Sequence, residues 1–175
     1  MVQFTRSFFS LCLIAASFAV PTKRTVAQIE ADLTSISTQV TALDNDIKGF
    51  PDSALTTLAA MGLLGTSLNI GTSNMKATGP LNEADATTIL NSMQAIEPVI
   101  IDALTKLTAE EPAFAGLPLG GLSALVLQDL QTLKDDTDAF AAALEAAAPA
   151  NLKAEATSIQ SAIDAAFATA IAAFS

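Results

Sequence analysis

Histidine, tryptophan and tyrosine are absent from this 175-residue chain, cysteine occurs once, and arginine stands only at Arg6 and Arg24. Without histidine, nucleophilic catalysis lacks its usual base. Zinc and copper lose the imidazole and thiolate ligands they prefer. Position deepens these absences. Met1 to Arg6 carries one positive charge and Ser7 to Phe18 is an apolar run too short to span a bilayer, so residues 1–19 read as a secretory signal peptide. Ser17 and Ala19 supply the small residues before a cut at Val20. Lys23-Arg24 follows at once and reads as a dibasic processing site, which makes 20–24 a short propeptide and 25–175 one mature domain.

These two cuts remove Cys12 and both arginines. The mature chain must then do without a disulfide, although an oxidising compartment would permit one. Its length suffices, because a domain of about 150 residues buries roughly 68–70% of its extended-chain surface. All 18 acidic residues remain against five lysines, a net charge of −13 that argues against nucleic acid and anionic membranes as partners. With 51% hydrophobic residues the chain is too apolar for charge-driven disorder.

What is present is helical periodicity. Val26, Ile29, Leu33, Ile36, Val40, Leu43 and Ile47 recur at alternating steps of three and four, the signature of an amphipathic helix, which Gly49-Phe50-Pro51 ends. A second helix, capped by Asp52 or Ser53, places Leu55, Leu58, Met61, Leu64, Leu68 and Met75 inward and ends at Gly79-Pro80. Gly62, Gly65 and Gly71 weaken it, so it is either closely packed or mobile. Asn82 caps a third helix with Ile89, Met93, Ile96, Ile100, Ala103 and Leu107 inward, and Pro98 predicts a kink or two shorter helices. Pro112 to Gly121 reads as a loop. The fourth helix spans Leu122 to Ala147 with Leu122, Val126, Leu130, Leu133, Thr137, Phe140 and Leu144 on one face. Asn151 caps a fifth, which buries Leu152, Ile159, Ile163, Ala166 or Phe167, Ala170 and Phe174. The fold class is therefore all-α, an elongated antiparallel bundle of about five helices with room for an internal apolar cavity.

The segments Pro112-Ala113-Phe114, Leu125-Val126-Leu127-Gln128-Asp129-Leu130-Gln131-Thr132-Leu133, Thr137-Asp138-Ala139-Phe140 and Pro149-Ala150-Asn151-Leu152 resemble the hydrophobic surface-binding protein A family. These are fungal extracellular proteins, also described as cell-wall galactomannoproteins. The likeness runs over nearly the whole mature chain and includes the signal and dibasic start. Two departures stand out: Glu110-Glu111 where the family often has lysines, and Asn151 where it often has Asp. The resemblance implies a helical bundle, adsorption to hydrophobic surfaces in some members and fatty-acid binding in an internal cavity in others.

Few alternatives to apolar contact survive. Asp135-Asp136-Thr137-Asp138 lies within a predicted helix without a turn glycine, which suits a solvated face better than calcium. Gly62, Gly65, Gly71, Gly116, Gly120 and Gly121 form no phosphate-binding fingerprint and read as turns and packing. Paired carboxylates could act as acid and base, but most fall on outward helix faces, which leaves a glycosidase possible only in principle. No enzyme activity, metal, cofactor or transmembrane span is expected.

The leading expectation is a secreted lipid-binding protein, extracellular or associated with the cell wall. Its cavity would be lined by Leu33, Ile36, Val40, Leu64, Leu68, Met93, Ile96, Ile100, Val126, Leu130, Leu133, Phe140, Ile163 and Phe167. About 14 methylenes at about 0.8 kcal/mol each yield roughly 11 kcal/mol before the costs of association, so micromolar affinity needs no charged clamp. Lys48, Lys76 and Lys106 sit near helix carboxyl ends, where cations offset the dipole. A fatty carboxylate would instead meet Ser37, Ser92, Gln128 or Thr137, or stay in water. Two alternatives remain open: a protein that coats hydrophobic surfaces and recruits a secreted hydrolase, and a structural wall component.

Overall fold

A computed structural model describes residues 25–117 and 121–175, so the expected signal peptide and propeptide, with Cys12, lie outside the described residues. Six helices follow in order: α1 Val26–Lys48, α2 Ala54–Thr78, α3 Glu83–Ala109, α4 Glu111–Ala115, α5 Leu122–Ala147 and α6 Lys153–Ala173. Among the described residues there is no strand.

The five long helices close into a ring. Helix α1 packs on α2 and α3, α3 on α6, α6 on α5, and α5 back on α2. Consecutive long helices reverse direction, as short connections require. Ring neighbours do not always do so. Lys106 near the end of α3 reaches Asp44 near the end of α1. Asn151, just before α6, reaches Glu83 at the start of α3. Gly65 and Gly71 of α2 lie against Asp136 and Phe140 of α5 in ascending order. Thus α1/α3, α3/α6 and α2/α5 run parallel, while α1/α2 and α5/α6 are antiparallel hairpins. Among the described residues no helix occupies the middle of the ring, which is filled by side chains.

Most inward rows match the periodicity. From Ile29 to Ile47 the α1 seam is buried, and so is the whole α5 row from Leu122 to Leu144. In α2 Met61, Leu64, Leu68 and Met75 are buried as expected, but Ala54 and Thr57 take the inner places of its first turns, which leaves Leu58 partly buried and Leu55 63% exposed. This helix is apolar on both sides, so leucine spacing alone could not orient it. By length and composition it is also the one described helix that could cross a membrane, but its inner face is taken up by α1 and α5.

Other local expectations are corrected. Helix α3 continues through Pro98 rather than dividing there. Pro112 stands in the first turn of the short α4, where its missing N–H costs nothing, so a helical turn interrupts the expected loop. Asn82 caps α3, accepting from the Asp85 N–H at 2.9 Å. Neither Ser53 nor Asn151 serves as a side-chain cap: Ser53 donates to the Asp46 carbonyl, and Asn151 donates to Glu83 at 2.9 Å. Each side chain acts instead as a donor in a longer-range bond. Against the outward placement expected of most carboxylates, Asp32 and Asp44 are buried, each with a donor from another helix.

One end of the ring is stoppered by phenylalanine. Phe114 of α4 is 2% exposed, with its ring centroid 4.2 Å from Phe50 in the α1–α2 turn and 5.8 Å from Phe174 after α6. Such tilted and edge-on contacts suit the aromatic quadrupole.

Candidate functional site

Beneath this stopper lies a lumen of about 40 Å³. Every long helix contributes to its wall. Ile36 and Val40 come from α1, Leu64 and Leu68 from α2, Met93, Ile96 and Ile100 from α3, Leu130, Leu133 and Phe140 from α5, and Phe167 from α6. A second void of about 20 Å³ lies farther from the stopper, among Leu90, Leu144, Ile159 and Ile163. Met93, Thr137 and Phe140 border both. The two voids therefore follow one another along the bundle axis.

Two of the apolar residues expected at a cavity, Leu33 and Val126, are buried but face neither void. Leu33 instead borders an outer groove between α1 and α3. Sequence reasoning omitted Leu43, Ile47, Met61, Ala103, Leu104 and Leu107 from the lumen wall. Their helical spacing was visible, but how close each seam comes to the void depends on the ring. Gln160, a polar neighbour of the second void, was also missed.

The polar set is dispersed. Ser37 and Ser92 meet in the outer groove between α1 and α3, and Gln128 is exposed. Thr137 alone borders the lumen, and its hydroxyl already donates to the Leu133 carbonyl at 2.7 Å. Of the 18 residues lining the main void, Thr137 is the only polar one. A surface of this kind stays dry and favours hydrocarbon.

Charges are arranged around the lumen rather than within it. Asp44 binds Lys48 at 2.5 Å and Lys106 at 2.7 Å, and Lys106 also holds Asp102. Burial alone would raise the Asp44 carboxyl, but the two ammonium groups overcome this and hold it below its ordinary value. Asp102 first, and then Asp44, raise the Lys106 ammonium. Lys48 and Lys106 are thus structural pairs. On the α5/α6 side Lys134 binds Asp138 at 2.7 Å and Asp164 at 3.4 Å. Burial would raise Asp138, yet Lys134 holds it low; burial and then the neighbouring Asp138 raise Asp164. Within the predicted acidic cluster, therefore, Asp138 joins an ion-pair network while Thr137 turns inward.

Size decides what the lumen can hold as it stands. A water needs roughly 10–15 Å³ of such volume, so the main void admits about three small groups and no long acyl chain. Occupation by a larger ligand requires the ring to widen.

The family model described as hydrophobic surface binding protein A matches residues 26–146. Among solved structures, Afmp4p in complex with palmitic acid is 34% identical, with a TM-score of 0.81 over 86% of this chain and 100% of that one. Ligand binding domain 1 of the Penicillium marneffei MP1 protein, complexed with arachidonic acids, is 18% identical, with a TM-score of 0.80 over 86% of this chain and 99% of that one. Domain 2 of the same protein, complexed with multiple arachidonic acids, is 18% identical, with a TM-score of 0.78 over 88% and 98%. At that identity the MP1 domains establish the fold alone. No curated protein matches.

Proposed function

The chain belongs to the hydrophobic surface binding protein A family, and on that premise we propose that it is a secreted, non-enzymatic carrier holding a fatty acid or similar amphiphile inside its ring of helices. The observation that carries this reading is the lumen itself, an apolar space bordered by all five long helices with no charged group on its wall. The palmitic acid complex of Afmp4p supports the choice of ligand. The cavity set of the main void, from Ile36 to Phe167, grips the hydrocarbon, and Ile163 extends it into the second void. No ammonium group among the described residues faces the lumen, so the carboxylate stays at the water boundary.

Loading widens the ring, and α2 is the wall that yields. Among the described residues its helical span has one interhelical polar tie, the bond from Asn74 to Asp32. Organic extraction and mass spectrometry of the secreted protein, followed by titration with a fluorescent fatty acid, test the proposal. Co-purified lipid or saturable one-to-one binding is expected; neither lipid nor saturable binding would sink it.

A second reading, adsorption to wax, oil or polymer, is favoured by a separate observation. The exposed large apolar side chains Leu55, Leu63 and Ile70 stand on α2, and Leu125 stands on neighbouring α5. Helix α2 carries no carboxylate in a chain whose net charge is −10. Adsorption through this face strengthens with salt, which screens charge elsewhere on the molecule. Recruitment of a secreted hydrolase belongs to this reading and predicts co-adsorption of the two proteins.

A further inference from the structure

The two voids share a wall, and that wall rests on a glycine. Phe140 is 1% exposed and borders both spaces, together with Met93 and Thr137. Its ring leans on Gly71 of α2: a Cβ built there would come within 3.0 Å of Phe140 Cε2 and 3.4 Å of its Cδ2. That contact is closer than ordinary packing, so the missing methyl is what lets the ring lie where it does. The other two members of the wall can also adapt. Met93 has a flexible, unbranched side chain. Thr137 spends its hydroxyl proton on the Leu133 carbonyl, so it offers the voids no free donor.

We propose that Phe140, seated on Gly71 between the two voids, is a movable partition that sets how long an acyl chain the lumen accepts. A short chain occupies the space beneath the phenylalanine stopper and ends at the ring. A longer one must turn the ring aside to enter the space near Leu90 and Ile163. The partition rests on the lipid-binding reading and adds chain-length selection to it.

Length selection has a measurable form. Burying one more methylene multiplies affinity about four-fold, and the gain stops where the chain meets an obstacle. The test titrates the mature secreted protein with saturated fatty acids from decanoate to icosanoate. In the native protein the affinity rises with length and then levels off. Phe140→Ala moves the levelling point to longer chains, gaining about four-fold for each methylene beyond the native limit. Gly71→Ala pushes the ring away from α2 toward the interior and moves the levelling point to shorter chains. Opposite shifts are something general loosening of the bundle does not produce.

Far-ultraviolet circular dichroism checks that each variant is folded. Phe140→Leu, a smaller truncation, replaces Phe140→Ala if the latter unfolds, and should move the profile the same way by less. Binding with the same levelling point in all variants overturns the partition and leaves the lipid reading standing. A native protein that binds none of the series overturns both.

Discussion

Helices α2 and α3 are of similar length, 25 and 27 residues, and both line the lumen, yet they are secured by different means. Helix α3 begins with the Asn82 cap and acidic Glu83 and Asp85, where the helix dipole favours negative charge. It is tied to α1 through Lys106 and Asp44, and to α6 through the bond from Gln94 to Glu155 at 2.7 Å. A third tie joins Glu83 to Asn151 just ahead of α6. Helix α2 has no carboxylate and no side-chain cap, and the buried Thr72 hydroxyl has no hydrogen-bond partner among the described residues. Apolar packing holds it along most of its length, and apolar packing lacks the directionality by which hydrogen bonds and ion pairs fix a helix in place. The difference assigns α3 to the frame and α2 to the wall that can give.

Truncation should expose this contrast most strongly. Leu107→Ala on α3 is expected to cost about 4 kcal/mol, while Leu64→Ala on α2 costs about 2, because a wall that can settle inward leaves a smaller cavity. Chemical denaturation compares the two, and equal costs would break the distinction. Asn74→Ala follows, at about 1–3 kcal/mol, since it takes the donor from Oδ2 of buried Asp32 and leaves that carboxylate only the Gln28 bond at 3.3 Å. The same variant sharpens the comparison if hydrogen exchange accelerates in α2 and not in α3.

Acid should act on the frame next. The folded-state value of Asp44 lies below its unfolded value, so its stabilisation is complete above the ordinary carboxylate range and is lost as pH falls through the lowered value. Lys106, raised, contributes until pH climbs through its folded value above the ordinary lysine range. Asp164 has the opposite sign to Asp44: its raised value makes ionisation at neutral pH oppose folding, and acid relieves that. Melting temperature against pH should therefore fall less steeply on the acid side in Asp44→Asn than in the native protein. An unchanged acid limb would remove Asp44 from the frame.

The smallest effect on stability belongs to the outer face of α2. Leu63→Ser with Ile70→Ser should change stability by no more than about 0.5 kcal/mol, because both residues are already more than half exposed. The pair should nonetheless lower adsorption to wax, measured by depletion from solution. Undiminished adsorption would separate α2 from the surface-binding reading.

The same contrast explains how much was legible in the sequence. Helices α1 and α5 were, in their apolar seams from Ile29 to Ile47 and Leu122 to Leu144, because apolar positions at steps of three and four stood among polar ones. Helix α2 was legible as a helix but not in its rotation, since Leu55 and Leu63 look as apolar as Met61 and Leu64. Connection lengths show which helices reverse, yet not which sit side by side, so the ring and its lumen could not be drawn. Polar ties such as the one from Asn74 to Asp32 span 42 residues and leave no local pattern. Ser37 follows Ile36 in the chain, but about 100° of helical rotation separates an outer groove from the lumen wall.

A structure of the mature protein saturated with palmitate tests the central claim most directly. The account predicts acyl density inside the ring, against Leu64, Met93 and Phe140, with α2 displaced outward relative to α3. A lumen still closed, with the lipid bound outside the ring or absent, would contradict it.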